Sequence, residues 1–344
     1  MSDRRVILGC ASGAADRRRC PVGRADPPGV SVLPWDRRSM RVEVGAVVPE
    51  TPAAEEGLPD VPGLARLAER AGLDCLWAED RLVAGQEPVL DSSLMLAAAA
   101  AVTDRIAIGF SVYVPSLRPL AWAAKQIASL QHLAGSGRLR LGVGLGGGSA
   151  DEYHAAGWRR EDRARRTDDF LRLLPGLLSG KPTPIPDAPG SVEISLRPAM
   201  PVPPLWIGGQ STAGLRRAVR FGDGWLSGLQ TPGEFAASAA RLGELSEEAG
   251  RPRPRLGMCV HAAIGRRADA GLAGITAASM QRMFGVPADR ARQLAVGGTP
   301  RRVAEHLARY CEAGAELLAV TCYPAPMEQS WELLAETRRL LNQP

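Results

Sequence analysis

Apolar and polar residues follow two periods along this chain, and the two take turns. Short, largely apolar runs with every-second-residue character alternate with longer stretches whose apolar residues fall three and four apart. The first pattern suits strands and the second amphipathic helices. Arg41–Val48 predicts a strand. Val61–Ala71, with Leu64, Leu67 and Ala68 on one face, predicts a helix closed by Gly72. Leu73–Ala78, Ile106–Val112 and Leu139–Val143 are the second, third and fourth strands, with helices at Leu94–Thr103 and from Pro119 to about Leu133 between them. A glycine-rich loop, a polar connection and a helix around Glu161–Leu178 follow. Past a proline-rich linker (Lys181 to Pro204) come strands at Leu205–Ile207, Gly224–Ser227 and Leu256–Ile264, interleaved with a helix behind Ser211 and another over Pro232–Ala249. Gly265–Val296 is irregular, with room for one or two helices. Thr299 as cap and Pro300 in the first turn start another helix, and Leu317–Cys322 and Glu328–Leu341 complete the chain.

Eight strands with intervening helices predict an α/β fold, a (β/α)8 TIM barrel with insertions after strands 4 and 7. Its chemistry is expected on the loops at the C-terminal ends of the strands. A doubly wound sheet competes, because Gly142-x-Gly144-x-x-Gly147 has the spacing of a dinucleotide-binding turn. That turn normally follows the first strand and enters a helix at once. Here it follows the fourth strand and meets Ser149-Ala150-Asp151 first, so a glycine-rich barrel loop is the better reading.

Composition narrows the chemistry. With 344 residues, 45% of them apolar, the chain suffices for one large domain. The net charge of +5 is concentrated in the first forty residues, which hold eight arginines against four aspartates, so the remainder offers no nucleic-acid surface. Residues 1–40, broken by prolines and glycines and too short in their apolar run for a signal core, read as a disordered extension outside a 41–344 barrel domain. Lys125 and Lys181 are the only lysines, leaving almost no Schiff-base candidate. Six cysteines without a C-x-x-C pair and four scattered histidines predict a reduced cytoplasmic protein with no metal site and no membrane association.

The most telling stretch is Leu205–Trp225, LWIGGQSTAGLRRAVRFGDGW. A strand ending in Gly208-Gly209 and running through Gln210 and Ser211 into a helix presents bare N–H groups and a positive dipole end, the arrangement that receives a phosphate. A tight turn without a ligand is the plain alternative.

Four blocks, AERAGLDCLWAED, IAIGFSVYVPSLRPLAWAAKQIASLQHLAGSGRLRLGVGLG, PPLWIGGQSTAGLRRAVRFGDGW and GTPRRVAEHLARYCEAGAELLAV, occur in the order found in the luciferase-like monooxygenase superfamily, which the chain resembles from about Arg41 to Leu341. The resemblance implies a barrel that holds reduced FMN or the deazaflavin coenzyme F-420 at its mouth. Gly208, Gly209, Gln210 and Ser211 would receive the cofactor phosphate, together with the loop containing Gly144, Gly146, Gly147 and Gly148. Ser111 and Val112 match the position where several relatives carry a cis non-proline peptide behind the cofactor ring. Several relatives also have a histidine shortly after the second strand, where this chain reads Glu79-Asp80-Arg81.

Glu79 and Asp80, at a strand's C-terminal end, and His154, in the loop after strand four, are the catalytic candidates. Tyr113 and Tyr153 are the substrate-contact candidates. His261 lies within the seventh strand and faces either the barrel or a helix. Trp77, Trp206 and Trp225 read as core or pocket wall. The expected activity is monooxygenation of a small organic molecule with reduced FMN from a separate reductase. F-420-dependent hydride transfer and a non-catalytic flavin-binding barrel are the alternatives. Relatives pair through the helices after the second and third strands, so a homodimer is expected.

Overall fold

The structure, a computed structural model, describes residues 41–48, 58–83, 88–135, 137–186, 192–323 and 326–343. The expected extension at residues 1–40 lies outside them. The barrel strands are β1 (Glu43–Val47), β2 (Cys75–Ala78), β3 (Ala107–Tyr113), β4 (Leu139–Val143), β5 (Leu205–Gly208), β6 (Gly224–Gly228), β7 (Arg255–Ile264) and β8 (Leu317–Tyr323). All neighbours run parallel, and β8 pairs with both β7 and β1, so the ring closes. The doubly wound alternative is thereby excluded.

β7 is the longest strand. Its first half pairs with β6, and its second half with a short extra strand, Val296–Gly298, that ends the insertion after β7. That insertion contains two helices, Gly271–Phe284 and Ala288–Leu294. The insertion after β4 carries a short helix (Ala150–Ala155), the helix Arg163–Leu178 and a small hairpin pairing Thr183–Pro184 with Glu193–Ile194.

Helix boundaries follow local chemistry. Asp91 and Ser211 accept N–H bonds from Leu94 and Gly214, and Thr231 with Glu234 forms a reciprocal capping box. Gly72 ends its helix at φ 79°. Thr299 sits at the expected cap position but makes no side-chain capping bond. Among the described residues no helix is long and apolar enough to cross a membrane.

Alternation along each strand sends one residue outward to the helices and the next into the barrel. Outward residues such as Val44, Ile108, Leu141, Ile207 and Val320 form the main core with the helix faces. The interior has its own layers. At the bottom, Arg140 pairs with Glu43, which also meets Arg255, and Arg255 meets Glu316. Above them lie Trp77 on β2 and Trp206 on β5, both buried, within an inner cluster of Val47, Cys75, Ala107, Leu226, Leu317 and Ala319.

Each indole needs its neighbours to be small. A Cβ on Gly45 or Gly109 would stand 2.6 Å from Trp77 atoms, and one on Gly224 or Gly257 would stand 2.4 or 3.0 Å from Trp206. Both strands beside Trp77 thus carry glycine where its indole lies, as do β6 and β7 on one side of Trp206. Gly109→Ala is expected to destabilise the fold by about 1–3 kcal/mol through overpacking, since Trp77 and the Arg140 carbonyl oxygen both lie under 3 Å from the new methyl. Urea unfolding monitored by circular dichroism measures it, and an unchanged midpoint would show that Trp77 has room to move.

Candidate functional site

Above the tryptophan layer the barrel opens into a cavity of about 370 Å3 at the C-terminal ends of the strands. That volume lies in the range of small-molecule sites. Its wall comes from six consecutive strand ends with the loops that follow them, from Gly214 and Arg217 of the helix after β5, and from Phe284 of the insertion after β7.

The β3 edge is the most irregular. The peptide bond Ser111–Val112 is cis, as the resemblance implied, and the register with β4 slips between Phe110 and Tyr113. Ser111 and Val112 both border the cavity, and the Ser111 hydroxyl is buried without a hydrogen-bond partner among the described residues. The Val112 side chain reaches over the neighbouring glycines. A Cβ on Gly144 would stand 2.3 Å from it, and one on Gly208 3.1 Å. These two glycines therefore make room for Val112 as well as bordering the cavity.

The slip also decides where Tyr113 goes. It lands on the same side as Phe110, in the helix layer, with its ring 4.9 Å from that of Phe110 and its hydroxyl donating to Gln126. Tyr113, expected as a substrate contact, does not line this cavity.

The phosphate-type end is built by β5 and the helix Thr212–Phe221. Gly208, Gly209, Ser211 and Gly214 line it, and Gly209 has φ 124°, a conformation that L side chains rarely adopt. Its carbonyl accepts a 2.7 Å bond from the Trp225 indole N–H, which pins the turn. Gln210 lies outside the cavity and donates its amide to the Gly228 carbonyl, closing the turn onto β6.

Arg217, one helical turn beyond Gly214, lines the same end and is not among the residues that the sequence motifs single out. Asp168 grips it through Nε at 2.6 Å and Nη2 at 3.2 Å, leaving Nη1 uncommitted among the described residues. A signal for it exists: an arginine six residues into a helix that begins at a glycine turn faces back along that helix.

The β4 loop supplies Gly144, Gly146 and Gly147 to the wall, but not Gly148. Gly148 has a different task. A Cβ there would collide with the carboxylate of Glu152, which is buried and accepts N–H bonds from Leu82 and Val83. Tyr153 backs the loop from behind, its hydroxyl donating 2.6 Å to the Leu145 carbonyl. Its hydroxyl is thus committed to scaffold, and the ring is not on the cavity wall. His154, next in sequence, is exposed and also off the wall.

The two acidic candidates separate. Glu79 lines the cavity and pairs with Arg81 at 3.2 Å. Asp80 is buried and turned away. It accepts from both terminal nitrogens of Arg118 (2.7 and 2.8 Å), from the Val114 N–H and from the Ser92 hydroxyl. With four donors on one carboxylate, Asp80 braces the loop after β3 and takes no place in the cavity.

His261 on β7 does face inward. Its Nδ1 lies 3.2 Å from the Tyr323 hydroxyl, and its ring meets the edge of Phe284 at 5.1 Å. Burial alone pushes its pKa down from 6.5 to about 4, so the imidazole is neutral at pH 7. Burial, with Glu79 nearby, likewise raises the Cys259 thiol to about 12.

A depressed histidine pKa makes stability depend on pH. Between about 6.5 and 4 the unfolded chain takes up a proton that folded His261 refuses, so stability falls as pH falls through that window and is flat above it. The contribution is on the order of 3 kcal/mol. His261→Gln should lose less stability than the parent between pH 7 and pH 4.5 in urea unfolding. Parallel pH profiles for the two proteins would show that His261 is protonated in the fold.

Known proteins share this fold. Residues 40–279 match the family model described as luciferase-like monooxygenase. A Mycobacterium tuberculosis protein of unassigned function is 34% identical over 173 residues, 49% of this chain and 58% of its own length. An F420-dependent glucose-6-phosphate dehydrogenase of Beutenbergia cavernae is 30% identical over 184 residues, 51% of this chain and 54% of its own. The chain spans little more than half the length of these relatives. Among solved structures, the oxygenating constituent of 3,6-diketocamphane monooxygenase from Pseudomonas putida, in complex with FMN, superposes with a TM-score of 0.68 at 18% identity, over 86% of this chain and 97% of that one. The closed barrel, the glycine-lined mouth and the family match agree, and the chain belongs to the luciferase-like monooxygenase family.

Proposed function

We propose that this chain is an oxidoreductase that binds reduced FMN or coenzyme F-420 across the barrel mouth and acts on a small organic substrate. Monooxygenation with reduced FMN is the first reading. F-420-dependent hydride transfer is the second, favoured by the 30% identity to an F420-dependent dehydrogenase. The observation that carries the proposal is the cradle at Gly208–Gly214. It combines a left-handed glycine, a helix N-terminus and one free arm of a buried arginine within one cavity wall.

The residues of the cradle suit such a group. No side chain fills the space above Gly147, and a Cβ on Gly209 would meet only Gly214, so a phosphate can approach the backbone there. The positive helix end and Arg217 favour an anion, with Asp168 orienting the guanidinium. The unpartnered Ser111 hydroxyl offers a donor at the other edge, where a polar ring system would lie against Val112. The bound cofactor supplies the electron pair for the reaction. The protein positions it, presents Glu79 and His261 towards the remaining space and excludes water with Leu226, Leu229 and Phe284.

A homodimer belongs to the same proposal. Leu94 and Trp122 are 72% and 66% exposed on the two adjacent helices Ser92–Ala100 and Leu120–Ala134, a waste of apolar surface unless a second copy covers it.

Two measurements test these readings. Trp225 touches the Gly209 carbonyl, so quenching of tryptophan fluorescence should report binding at the cradle. FMN or F-420 is expected to bind at least tenfold more tightly than its phosphate-free counterpart, and Gly209→Ala should erase that difference. Equal affinity for both forms would remove the phosphate assignment. For assembly, Leu94→Glu with Trp122→Glu should convert a dimer to a monomer in analytical ultracentrifugation. A monomeric parent would refute pairing.

A further inference from the structure

The end of the cavity away from the glycine cradle has chemistry of its own. It is bordered by Glu79, Cys259, His261, Leu229 and Phe284, and Tyr323 stands behind His261. We propose that His261 is the electrophilic hydrogen-bond donor of this site, fixed in one tautomer by Tyr323, and that it recognises the carbonyl oxygen of an uncharged substrate with an apolar body. The inference rests on the cofactor reading above and names the substrate class for the same site.

The tautomer follows from counting protons. The Tyr323 hydroxyl has one proton and two acceptors within reach, Nδ1 of His261 at 3.2 Å and the Met283 sulfur at 3.3 Å. A thioether is a weak acceptor and an imidazole nitrogen a strong one, so the proton goes to Nδ1. The remaining nitrogen, Nε2, then carries the ring hydrogen and has no protein partner among the described residues. The near-parallel stacking of the two rings, 18° apart, and the Phe284 edge hold the imidazole in place. A neutral imidazole that donates from Nε2 polarises a carbonyl without transferring its proton. Burial keeps it neutral at working pH.

Charge selects the substrate class. The charged groups on the cavity wall are Glu79 and Arg217, and Arg217 is held by Asp168 at the cradle end. A substrate carboxylate beside His261 would meet Glu79 on the wall, while the nearby cations lie off it: Arg81 is committed to Glu79, and Arg282 stands on the Tyr323 side. An uncharged ketone or aldehyde meets a donor for its oxygen and the apolar surfaces of Leu229 and Phe284. Either cofactor chemistry would place negative charge on the carbonyl oxygen, which the Nε2–H donor would stabilise; after hydride addition the alkoxide would take its proton from solvent and leave as the alcohol. Tyr323 is a positioning residue in this scheme.

Nitrogen-15 NMR of histidine-labelled protein tests it without cofactor. The chain has four histidines, and His261→Gln identifies the signal. The expected result is a neutral Nε2–H tautomer at pH 7 that Tyr323→Phe converts to a mixture. Cyclohexanone should shift the signal, while cyclohexanecarboxylate should leave it in place. A charged ring or an Nδ1–H tautomer overturns the donor role. A carboxylate that binds as well as the ketone, or two silent probes, overturns the substrate class. With cofactor and a ketone substrate, His261→Phe should lower kcat by about 100-fold or more, with partial recovery in His261→Gln, which keeps an N–H donor. An unchanged kcat in His261→Phe overturns the role. Failure of the cofactor reading is told apart by the fluorescence titration of the parent protein, which reads the cradle at Gly209 and does not involve the substrate probes.

Discussion

Two indoles set the height of everything functional in this barrel. Trp77 and Trp206 sit on separate arcs of the ring, on β2 and β5; Trp77 lies between glycines of both flanking strands, and Trp206 against Gly224 on β6 and Gly257 one strand further, on β7. Beneath them, Glu43, Arg140 and Arg255 close the bottom with ion pairs, and the Arg255 guanidinium lies 5.4 Å from the Trp206 ring. The lower barrel is therefore filled, and space along its axis is left at the C-terminal ends. An eight-stranded interior normally fills with branched side chains in layers. Here the volume is concentrated in two large rings, which frees the neighbouring strands to carry glycine upward into the mouth.

The same economy explains why glycines at the mouth serve more than one end. Gly144 and Gly208 lie under Val112, which the slip in β3 pushes across them, while Gly209 and Gly147 leave backbone open to the cavity. A glycine-rich sequence motif thus mixes two causes, close side-chain packing and ligand access. Gly148 adds a third, since its missing side chain admits the Glu152 carboxylate that ties this loop to the one after β2. Substitutions across these positions should not be read as one kind of effect.

Much of this architecture is legible in the sequence. Eight strands fall within a few residues of their expected ends because apolar periodicity and capping residues are local signals, as at Leu139–Val143 and at Gly72. The cradle at Gly208–Ser211 is legible for the same reason: strand, glycines and helix are contiguous. Side-chain direction near the mouth is not. Tyr113 leaves the site because of one irregular step in β3, and no count of alternation from the strand's start could locate it. Tyr153 and Asp80 go to scaffold roles because their partners, Leu145 on one side and Arg118 with Val114 and Ser92 on the other, come together only in three dimensions. Arg217 and Glu152 escape a search for contiguous motifs, since each acts through a loop or helix distant in sequence.

The fate of Asp80 bears on how the site does its work. The resemblance set a histidine of several relatives against the Glu79-Asp80-Arg81 stretch that follows β2. In this chain Asp80 takes up Arg118 through both terminal nitrogens, and Asp91 stands 3.6 Å from the same guanidinium. An aspartate so heavily bonded has no spare lone pair to present to a ligand, and removing it would leave a largely buried cation with only the longer contact to the more exposed Asp91. The β2 edge thus contributes to the cavity through Glu79 alone, an acceptor when ionised. A site that must stabilise developing negative charge needs a donor, and among the inward strand ends described the one neutral ring donor is on β7. Moving the donor from β2 to β7 carries it past β1 and β8, the two strands between them in the ring. Phe284 of the insertion after β7 then lies against it, which couples the identity of that insertion to the substrate the barrel can accept.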